Sequence, residues 1–305
     1  MTPPRLLLLG ADGQVGWELR RSLLPLGTVL PMTRAQADLS DLTGLKALLD
    51  RERPDVVVNA AAYTAVDRAE TEPELAQRIN ADAPQMLADY AARTGAWLVH
   101  YSTDYVFDGT KPAPYTESDA PKPQSVYGRS KLAGEQAIAA SGCRHLMLRT
   151  SWVFAARGGN FAKTMLRLAA ERDSLRVVAD QIGAPTSAEL IADTTALMLY
   201  RLQSDAALAQ RASGLYHLTA QGSTSWHGYA QFVIAQAIAR GLALRCAPEA
   251  VQPIATADYP LPAPRPANSR LDCGKLQTTF GLTLPPWPIQ VQRLIDELPN
   301  HERPL

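Results

Sequence analysis

Short apolar runs alternate with amphipathic segments along the first half of the chain. The runs have the length and composition of buried strands, and they are RLLLLG (5–10), TVLPM (28–32), DVVVNAA (55–61), WLVHYS (97–102) and HLMLRT (145–150). Between them, apolar residues recur at helical spacing in VGWELRRSLL, LTGLKALLDRE, ELAQRINADAPQMLADYAARTG and YGRSKLAGEQAIAA. Continuous apolar strands separated by helices predict an α/β fold, with a parallel sheet covered by helices on both faces.

The alternation becomes irregular after about residue 150. Helices are predicted over NFAKTMLRLAAER, SAELIADTTALMLYRL and WHGYAQFVIAQAIARG, with LRVVA as a strand and GLYHLT as a candidate to return to the main sheet. We therefore predict a first domain over residues 1–150, with returning elements within about 187–240. A smaller C-terminal domain is predicted over 151–186 and about 241–305.

A stretch crowded with prolines follows the last of these helices, with prolines at positions 248, 253, 260, 262, 264 and 266. One interpretation is a plain linker. The other is a stiff loop that borders a ligand cleft. We favour the loop because PRPANSR places Arg265 and Arg270 inside the stretch and a further compact segment follows it.

Charge and cysteine content exclude several classes of function. The 305 residues contain 30 Lys+Arg and 30 Asp+Glu, so no global field would recruit nucleic acid or an anionic membrane. The four leucines at 6–9 form a run too short for a signal segment or a membrane span. Three widely spaced cysteines without a CxxC motif indicate neither a disulfide framework nor a zinc site. We expect a cytoplasmic protein.

The segment GADGQVG follows the first strand and opens the first helix. Glycines at such a turn let the backbone approach a pyrophosphate, whose charge lies at the helix N-terminus. The spacing is G-x-x-G-x-x-G, and glycines that serve only the turn are the alternative. The position of the segment at the start of an alternating chain favours a Rossmann-type, doubly wound sheet. The predicted pyrophosphate-binding residues are Gly10, Gly13, Gln14, Val15 and Gly16.

The ends of the second and third strands predict the rest of a dinucleotide site. The second strand runs into Thr33 and Arg34 instead of an acid, which favours NADPH and leaves NADH as an alternative donor. Asp38 could meet an adenine amino group, although capping of a helix explains it nearly as well. The predicted contacts in these two places are Thr33, Arg34, Asp38, Leu39, Ala60, Ala61, Ala62 and Thr64.

The segment YSTDYVFDG ends the fourth strand, and Y-x-x-x-K opens the next long helix with Tyr127 and Lys131. Ligands of open α/β sheets bind outside the carboxyl ends of the strands, so Thr103 is predicted to project into the cleft. This constellation resembles that of the short-chain dehydrogenases/reductases. A lysine one turn from a tyrosine is expected to lower the pKa of the phenol, while a threonine hydroxyl binds the substrate carbonyl. The predicted catalytic set is Thr103, Tyr127 and Lys131.

Longer blocks resemble one branch of that superfamily, the dTDP-4-dehydrorhamnose reductases. The blocks are GQVGWEL, NAAAYTAVDRAE, YSTDYVFDG, VYGRSKLAGE, RTSWVFA, NFAKTMLRLA, DQIGAPT, GLYHLTAQG and RPANSRLD, and they extend to residue 272. One departure is Leu9, where many relatives carry threonine before the first glycine of the turn. The phosphate is bound by backbone, so this departure removes nothing essential.

The resemblance implies NAD(P)H-dependent reduction of the C4 keto group of dTDP-4-dehydro-6-deoxy-L-mannose to dTDP-L-rhamnose, with Tyr127 as proton donor. The C-terminal domain would then bind the nucleotide-diphosphate sugar. Asn80 resembles the asparagine that helps to arrange the site in this family, and a local hydrogen-bond partner is the alternative. Arg265 and Arg270 suit a diphosphate because guanidinium forks match phosphate oxygens, and surface charge is the alternative. The candidate substrate-binding residues are Thr103, Asp104, Tyr105, Trp152, Asn160, Arg265 and Arg270.

The resemblance further implies Mg²⁺ at a dimer contact, for which the matching positions are Glu18, Glu189 and Glu297. Solvated helix glutamates are the alternative interpretation, and a homodimer stays an open expectation. A nucleotide-sugar epimerase or a different keto-sugar reductase would use the same Thr/Tyr/Lys set. A regulatory homologue that binds nucleotide without turnover is a further alternative. The sequence leaves open whether the substrate carries thymine or uracil.

Overall fold

Twelve strands and twelve α-helices make up the part of the chain, residues 3–298, that the computed structural model describes. The strands are β1 (Arg5–Leu9), β2 (Thr28–Met32), β3 (Val56–Asn59), β4 (Trp97–Thr103), β5 (Arg144–Thr150), β6 (Val153–Phe154), β7 (Leu175–Val178), β8 (Ile182–Gly183), β9 (Thr186–Ser187), β10 (Gly214–His217), β11 (Thr224–Ser225) and β12 (Val251–Ile254). The helices are α1 (Gln14–Ser22), α2 (Leu42–Glu52), α3 (Val66–Ala69), α4 (Pro73–Gln77), α5 (Ala83–Thr94), α6 (Val126–Ala140), α7 (Phe161–Glu171), α8 (Ala188–Ser204), α9 (Ala206–Arg211), α10 (Trp226–Ala239), α11 (Gly274–Phe280) and α12 (Trp287–Glu297).

The central sheet has six parallel strands in the order β10-β5-β4-β3-β1-β2. The predicted α/β fold is therefore confirmed, and GLYHLT does return to the main sheet as β10. The chain crosses from β2 over β1 to β3, so the strand order reverses between β1 and β3. A doubly wound sheet binds its ligand at the carboxyl side of such a reversal.

The leucines of β1 show why both faces of the sheet are covered. Leu6 and Leu8 pack in one buried cluster with α1 and α8, whereas Leu7 and Leu9 pack in another with α2, α5 and α6. All four side chains are 0% exposed. Side chains of a strand alternate between faces, so a run that is apolar at every position needs helices on both sides.

The C-terminal half builds two further apolar clusters away from the sheet, mainly from α7, α10, α12, β7 and β12. The proline-rich stretch is more than a plain linker. Its strand β12 pairs in parallel with β7, and the Ala263 amide donates to Asp67 Oδ1 at 3.2 Å. The stretch therefore connects the C-terminal half to α3, the short helix that follows β3.

The predicted helix over residues 74–95 contains a π-helical turn at Arg78–Asp82 between α4 and α5. Within it the Ala83 amide donates to the Arg78 carbonyl, one residue beyond the α-helical partner. Pro84 has no amide hydrogen, so it cannot donate to the Asn80 carbonyl and the α-helical ladder is interrupted there. The wider turn carries Asn80, which is 1% exposed.

None of the helices within residues 3–298 has both the length and the apolar composition to cross a bilayer.

Candidate active site

Two glycines let the turn between β1 and α1 pack tightly against the end of β3. Gly10 has a φ of +76°, and a Cβ there would lie 2.7 Å from the Ala61 amide nitrogen. A Cβ at Gly16 would collide with the Gly10 carbonyl. A side chain at either position would prevent β1, β3 and α1 from packing this closely. The ends of β1 and β3 thus come together at the turn, as the sequence predicted.

Helix α1 begins at Gln14, with Gly13 as its N-cap and no acidic side chain in its first turn. The amides of Gln14, Val15 and Gly16 have no intrahelical acceptor, and the helix dipole adds partial positive charge there. Gln14 Nε2 donates to the Gly159 carbonyl at 3.4 Å, while Gln14 Oε1 is buried and has no hydrogen-bond partner among residues 3–298. These features suit an anionic group above the turn.

The polar side chains after β2 mainly form hydrogen bonds and ion pairs with one another. Arg34 is exposed and its Nε lies 3.6 Å from Asp38 Oδ2. Asp38 accepts hydrogen bonds from the amide and hydroxyl of Ser40 at 2.9 and 2.8 Å, and these bonds lower the pKa of its carboxyl. Thr33 bonds the Gln36 side chain, and Leu39 is buried in the core. Contacts of these residues with a cofactor stay predictions.

The loop after β3 is fixed by Asn80. Asn80 Oδ1 accepts from the Tyr63 amide at 2.9 Å, and its Nδ2 donates to the Tyr63 carbonyl and to Ser130 Oγ. One amide side chain therefore holds the loop that carries Ala60, Ala61, Ala62 and Thr64 against α6. Thr64 itself is exposed.

Thr103 lies at the end of β4 and caps a short 3₁₀ turn, where its Oγ1 accepts from the Tyr105 amide at 3.2 Å. The same hydroxyl donates to Asp104 Oδ1 at 3.0 Å. Asp104 is 3% exposed, and its Oδ2 has no partner in the described structure. Burial raises the pKa of Asp104 to about 6, against hydrogen bonds from Ser269 and Thr103 that lower it. The site thus contains a carboxyl that is able to titrate near neutral pH.

Tyr127 occupies the first turn of α6, which Ser125 caps by accepting from the Gly128 amide at 3.1 Å. Its ring lies edge-on to Tyr105, with centroids 5.5 Å apart. Burial raises the pKa of Tyr127 to about 12, while the Thr103 hydroxyl lowers it and the Asp104 carboxylate raises it further. Thr103, Asp104 and Tyr127 therefore influence one another, as their proposed roles require.

The expectation that Lys131 lowers the pKa of Tyr127 is wrong for the arrangement in this structure. Lys131 Nζ donates to the Tyr101 carbonyl at 2.7 Å and lies 3.1 Å from His100 Nε2. Lys131 does not shift the pKa of Tyr127, although the two residues are one helical turn apart. Burial lowers the pKa of Lys131 itself to about 8, with Glu135 opposing that shift. The long lysine side chain extends to β4 because a buried polar partner is there.

The two predicted diphosphate arginines are bonded within the protein. Arg265 donates to Asp67 Oδ2 at 2.8 Å and to the Ala263 carbonyl at 3.0 Å, and its guanidinium lies 6.0 Å from the Tyr105 ring centroid. Arg270 donates to Asn268 Oδ1 at 2.8 Å and to the Pro112 carbonyl. Arg265 therefore stands beside Tyr105 near the catalytic set, whereas Arg270 braces a loop.

Two further sugar-site candidates also have internal partners. Trp152 stacks on Trp226 with centroids 3.5 Å apart, and its φ of +49° is a strained conformation for a non-glycine residue. Asn160 caps α7: its Oδ1 accepts from the Lys163 amide at 3.1 Å, and its Nδ2 donates to the Ala155 carbonyl at 2.6 Å. A structural role explains Asn160 fully, while the strain at Trp152 is compatible with a functional one.

The structure brings the three predicted metal ligands to one region but does not arrange them as a metal site. Burial raises the pKa of both Glu18 and Glu189, and the Glu297 carboxylate raises each of them further as a smaller contribution. Arg293 Nε lies 3.3 Å from Glu189 and 3.1 Å from Glu297. Within residues 3–298, no group of three or more His, Cys, Asp or Glu side chains could hold a metal ion. The magnesium prediction is therefore not supported.

Two buried residues of the site escaped the sequence reasoning. His100 contacts Lys131, and Ser269 is close enough to Asp104 to lower the pKa of its carboxyl. His100 is the ionisable residue inside the apolar run WLVHYS, which was a usable clue. Ser269 lies in the loop that also carries Arg265 and Arg270, and only the tertiary structure shows that it reaches β4.

Two features define the class of protein. They are a parallel sheet with a glycine turn at its strand-order reversal, and a Thr/Tyr/Lys set at the end of β4 and the start of α6. The chain is a Rossmann-type oxidoreductase. Among solved structures, the UDP-glucose 4-epimerase of Thermus thermophilus in complex with NAD is similar in fold, with a TM-score of 0.78 at 20% identity over 97% of this chain and 99% of that one.

The comparisons then narrow the class to one family. The family model described as "RmlD substrate binding domain" matches residues 4–300. The dTDP-4-dehydrorhamnose reductase of Salmonella typhimurium is 50% identical over 297 residues, which is 96% of this chain and 97% of that protein. The crystal structure of the Bacillus anthracis dTDP-4-dehydrorhamnose reductase in complex with NADP has a TM-score of 0.86 at 34% identity, over 97% of this chain and 100% of that one. The chain belongs to the dTDP-4-dehydrorhamnose reductase family.

Proposed function

We propose that this protein reduces the C4 keto group of dTDP-4-dehydro-6-deoxy-L-mannose with NADPH, which yields dTDP-L-rhamnose. The observation that carries the proposal is the cluster at the carboxyl edge of the sheet. There Thr103, Asp104 and Tyr127 meet at the end of β4, on the same edge of the sheet as the glycine turn after β1, in a chain that is 50% identical to the dTDP-4-dehydrorhamnose reductase of Salmonella typhimurium.

The residues present fit a dinucleotide. Gly10 and Gly16 allow β1, β3 and α1 to pack closely at the turn, the first amides of α1 are without intrahelical acceptors, and Gln14 Oε1 is buried without a partner in the described residues. A pyrophosphate would lie over this turn, and the loop of Ala60 to Thr64 would border the ribose and nicotinamide. When bound, the reduced nicotinamide supplies the hydride that C4 of the sugar receives.

The chain's own residues then have separate tasks. Thr103 donates its hydroxyl hydrogen to the carbonyl oxygen, in place of the bond that it gives to Asp104 Oδ1. Tyr127 gives its phenolic proton to the same oxygen as negative charge develops on it. The surrounding apolar and buried groups exclude water, which strengthens both interactions. Asp104 remains beside them as a carboxyl with an unpaired oxygen that can accept a sugar hydroxyl.

Selectivity is proposed to come from more exposed positions. Arg34 and Thr33 follow β2 where an acid would have repelled a 2′-phosphate, which supports NADPH over NADH. Arg265 and Arg270 are the candidates for the diphosphate of the sugar nucleotide, and Trp152 is the candidate for its sugar ring. A homodimer and the lack of nucleic-acid binding stay predictions.

The deciding experiment measures NADPH consumption with dTDP-4-dehydrorhamnose beside its UDP analogue, in the parent and in Tyr127→Phe. Turnover by the parent that Tyr127→Phe abolishes is the expected result. An epimerase would instead purify with tightly held oxidised cofactor and need none added. Nucleotide binding without any turnover would favour the regulatory alternative and overturn the proposal.

A further inference from the structure

A chain of buried hydrogen bonds extends behind Lys131 into the sheet. Lys131 Nζ lies 3.1 Å from His100 Nε2, and His100 Nδ1 lies 3.1 Å from Asn59 Nδ2. Asn59 Oδ1 in turn accepts from the Ala61 amide at 3.2 Å. Asn59 and His100 are directly paired across β3 and β4, and the side chains of both, with that of Lys131, are 1% exposed. The chain is therefore shielded from bulk solvent.

The donors and acceptors in this chain can be assigned from its far end. A backbone amide can only donate, so Asn59 must turn its oxygen toward Ala61 and its NH₂ toward His100. The opposite orientation would set two donors face to face. His100 Nδ1 consequently accepts a hydrogen bond, and the proton of a neutral imidazole lies on Nε2. Burial lowers the pKa of His100 well below its ordinary value, which favours that neutral form.

The tautomer of His100 determines which form of Lys131 fits beside it. His100 Nε2–H points at Lys131 Nζ, and only a neutral amine has the lone pair to accept it. An ammonium group has three donors and no acceptor, so it would face the imidazole donor to donor. The Tyr101 carbonyl accepts one amine hydrogen at 2.7 Å, and one more remains for another partner. The position of Lys131 in the structure is that of the uncharged amine.

We propose that Asn59 and His100 are positioning residues that hold Lys131 as a neutral amine against β4, and that protonation expels Lys131 from His100 and so frees it to act beside Tyr127. The proposal deepens the proposed function, on which its kinetic part rests. In this role His100 and Asn59 control the charge of Lys131, which a purely structural pair of buried polar residues would not do.

The ionisable surroundings of Lys131 agree with this role. The ionisable groups near Lys131 are Tyr127 and Glu135 on α6 and His100 on β4. Arg149 of β5 neutralises Glu135 with hydrogen bonds of 2.8 and 2.5 Å. With that carboxylate paired, burial is the dominant influence and lowers the pKa of Lys131 to about 8. The ammonium form therefore appears as the pH falls through about 8, and the held neutral form prevails above it.

The direct test is nitrogen-15 NMR of the histidine rings in the full-length enzyme without added nucleotide. His100 is expected to be the Nε2–H tautomer, and its resonances should shift as Lys131 titrates. The His100→Phe variant assigns the signals among the five histidines of the chain. An Nδ1–H tautomer in the parent would overturn the proposal. No turnover is needed, so this result stands apart from the fate of the proposed reductase activity.

The second test inverts the tautomer with Asn59→Asp. One carboxylate oxygen can still accept from Ala61, while the other accepts from His100 Nδ1–H, so that Nε2 becomes an acceptor for an ammonium group. The alkaline limb of kcat/KM, which reports the free enzyme, is then expected to move up by about one pH unit or more. The same substitution in the His100→Phe background should lose most of that shift, because the carboxylate acts through the imidazole. A shift that survives in full there would mean direct charge attraction and would contradict the relay.

Discussion

The carboxyl edge of the sheet and the C-terminal half of the chain use their polar side chains in different ways. At the edge, Asp104 Oδ2 and Gln14 Oε1 are buried without partners in residues 3–298. In the C-terminal half, Asn160 and Arg270 have their donors bonded to carbonyls of the protein, and Arg265 is paired with Asp67. Both regions contain residues that the sequence nominated for a site.

This difference separates predicted site residues that have a free polar atom from those whose hydrogen bonds are all made within the protein. A buried polar group without a partner costs free energy, so the two predicted residues at the edge are candidates to bond a ligand. Tyr229 Oη and Gln290 Nε2 of the C-terminal half are also unpartnered within residues 3–298, but neither was predicted for a site. A group with all its bonds made within the chain is explained by stability alone. This supports the edge as the proposed reacting centre, whereas Asn160, Arg265 and Arg270 would have to exchange an internal partner before they bind a ligand. The predictions below test that contrast.

The largest effect is expected for Tyr127→Phe, which removes the acidic hydroxyl and leaves the ring against Tyr105. Turnover should fall by about 10²–10⁴-fold while the Kd for NADPH stays unchanged. Steady-state kinetics and cofactor titration measure the two quantities. Tyr90→Phe is the matched control, because that hydroxyl donates to the Pro54 carbonyl away from the edge. A kcat close to that of the parent would remove Tyr127 from the reaction.

Glu135→Gln is expected to cost a similar free energy, here in the stability of the fold. The ion pair of Glu135 with Arg149 is buried, with side chains 5% and 3% exposed, so the variant leaves an uncompensated charge. The free energy of unfolding should fall by about 3–5 kcal/mol in denaturant titrations. Glu171→Gln breaks the exposed pair with Arg167 and should change stability by about 0.5 kcal/mol or less. Equal effects of the two changes would mean that the buried pair is not special.

Asp104→Asn should raise stability at pH 8 by about 3 kcal/mol, while it lowers kcat/KM. Burial raises the pKa of Asp104 to about 6, so the folded state is penalised for ionising this carboxyl above that pH. The penalty begins to shrink as the pH falls below 6 and is gone only near the ordinary carboxyl pKa of 3.8, and the gain from the amide should shrink with it over the same range.

The control for that prediction has the opposite sign. Hydrogen bonds from Thr110 lower the pKa of Asp108 to about 2, so its carboxylate stabilises the fold above its ordinary pKa. Asp108→Asn should therefore lower stability at pH 8. Melting temperatures of both variants between pH 4 and pH 8 measure the two trends, and parallel trends would contradict this account of Asp104.

Arg265→Ala is expected to raise KM for the nucleotide sugar by about tenfold with little change in kcat. A diphosphate contact far from C4 acts on ground and transition states alike. Asp67 competes for this guanidinium at 2.8 Å, so Asp67→Asn should lower the same KM. Arg270→Ala provides the comparison for an arginine bonded within its loop. An unchanged KM in all three variants would place the diphosphate elsewhere.

The smallest effect is expected for Arg34→Ala. Its side chain is 79% exposed and its contact with Asp38 is 3.6 Å long, so a bond to a 2′-phosphate forms in high dielectric. The parent should prefer NADPH over NADH, and the variant should lose up to about tenfold of that preference through a higher KM for NADPH. Values of kcat/KM for both cofactors decide this. Equal efficiency in the parent would refute the role of Arg34.

Much of the fold was predictable because its determinants are local. The leucine run of β1 needs cover on both faces wherever it lies, and Gly10 permits the left-handed turn that leads into α1. Tyr127 and Lys131 are one turn apart on any helix. The π-turn at Asn80 was missed, although Pro84 marks the place where an α-helical bond cannot form.

By itself, the sequence determined the parallel sheet, the glycine turn and the residues that meet at its edge, since strand ends in such a sheet converge whatever the details of packing. Only the tertiary structure decided what each side chain does there. It placed His100 of β4 beside Lys131 and Asp67 beside Arg265, pairs that lie far apart in the chain. Ionisation and hydrogen bonding depend on distances of a few ångströms and on burial, and no pattern along a chain specifies either of these.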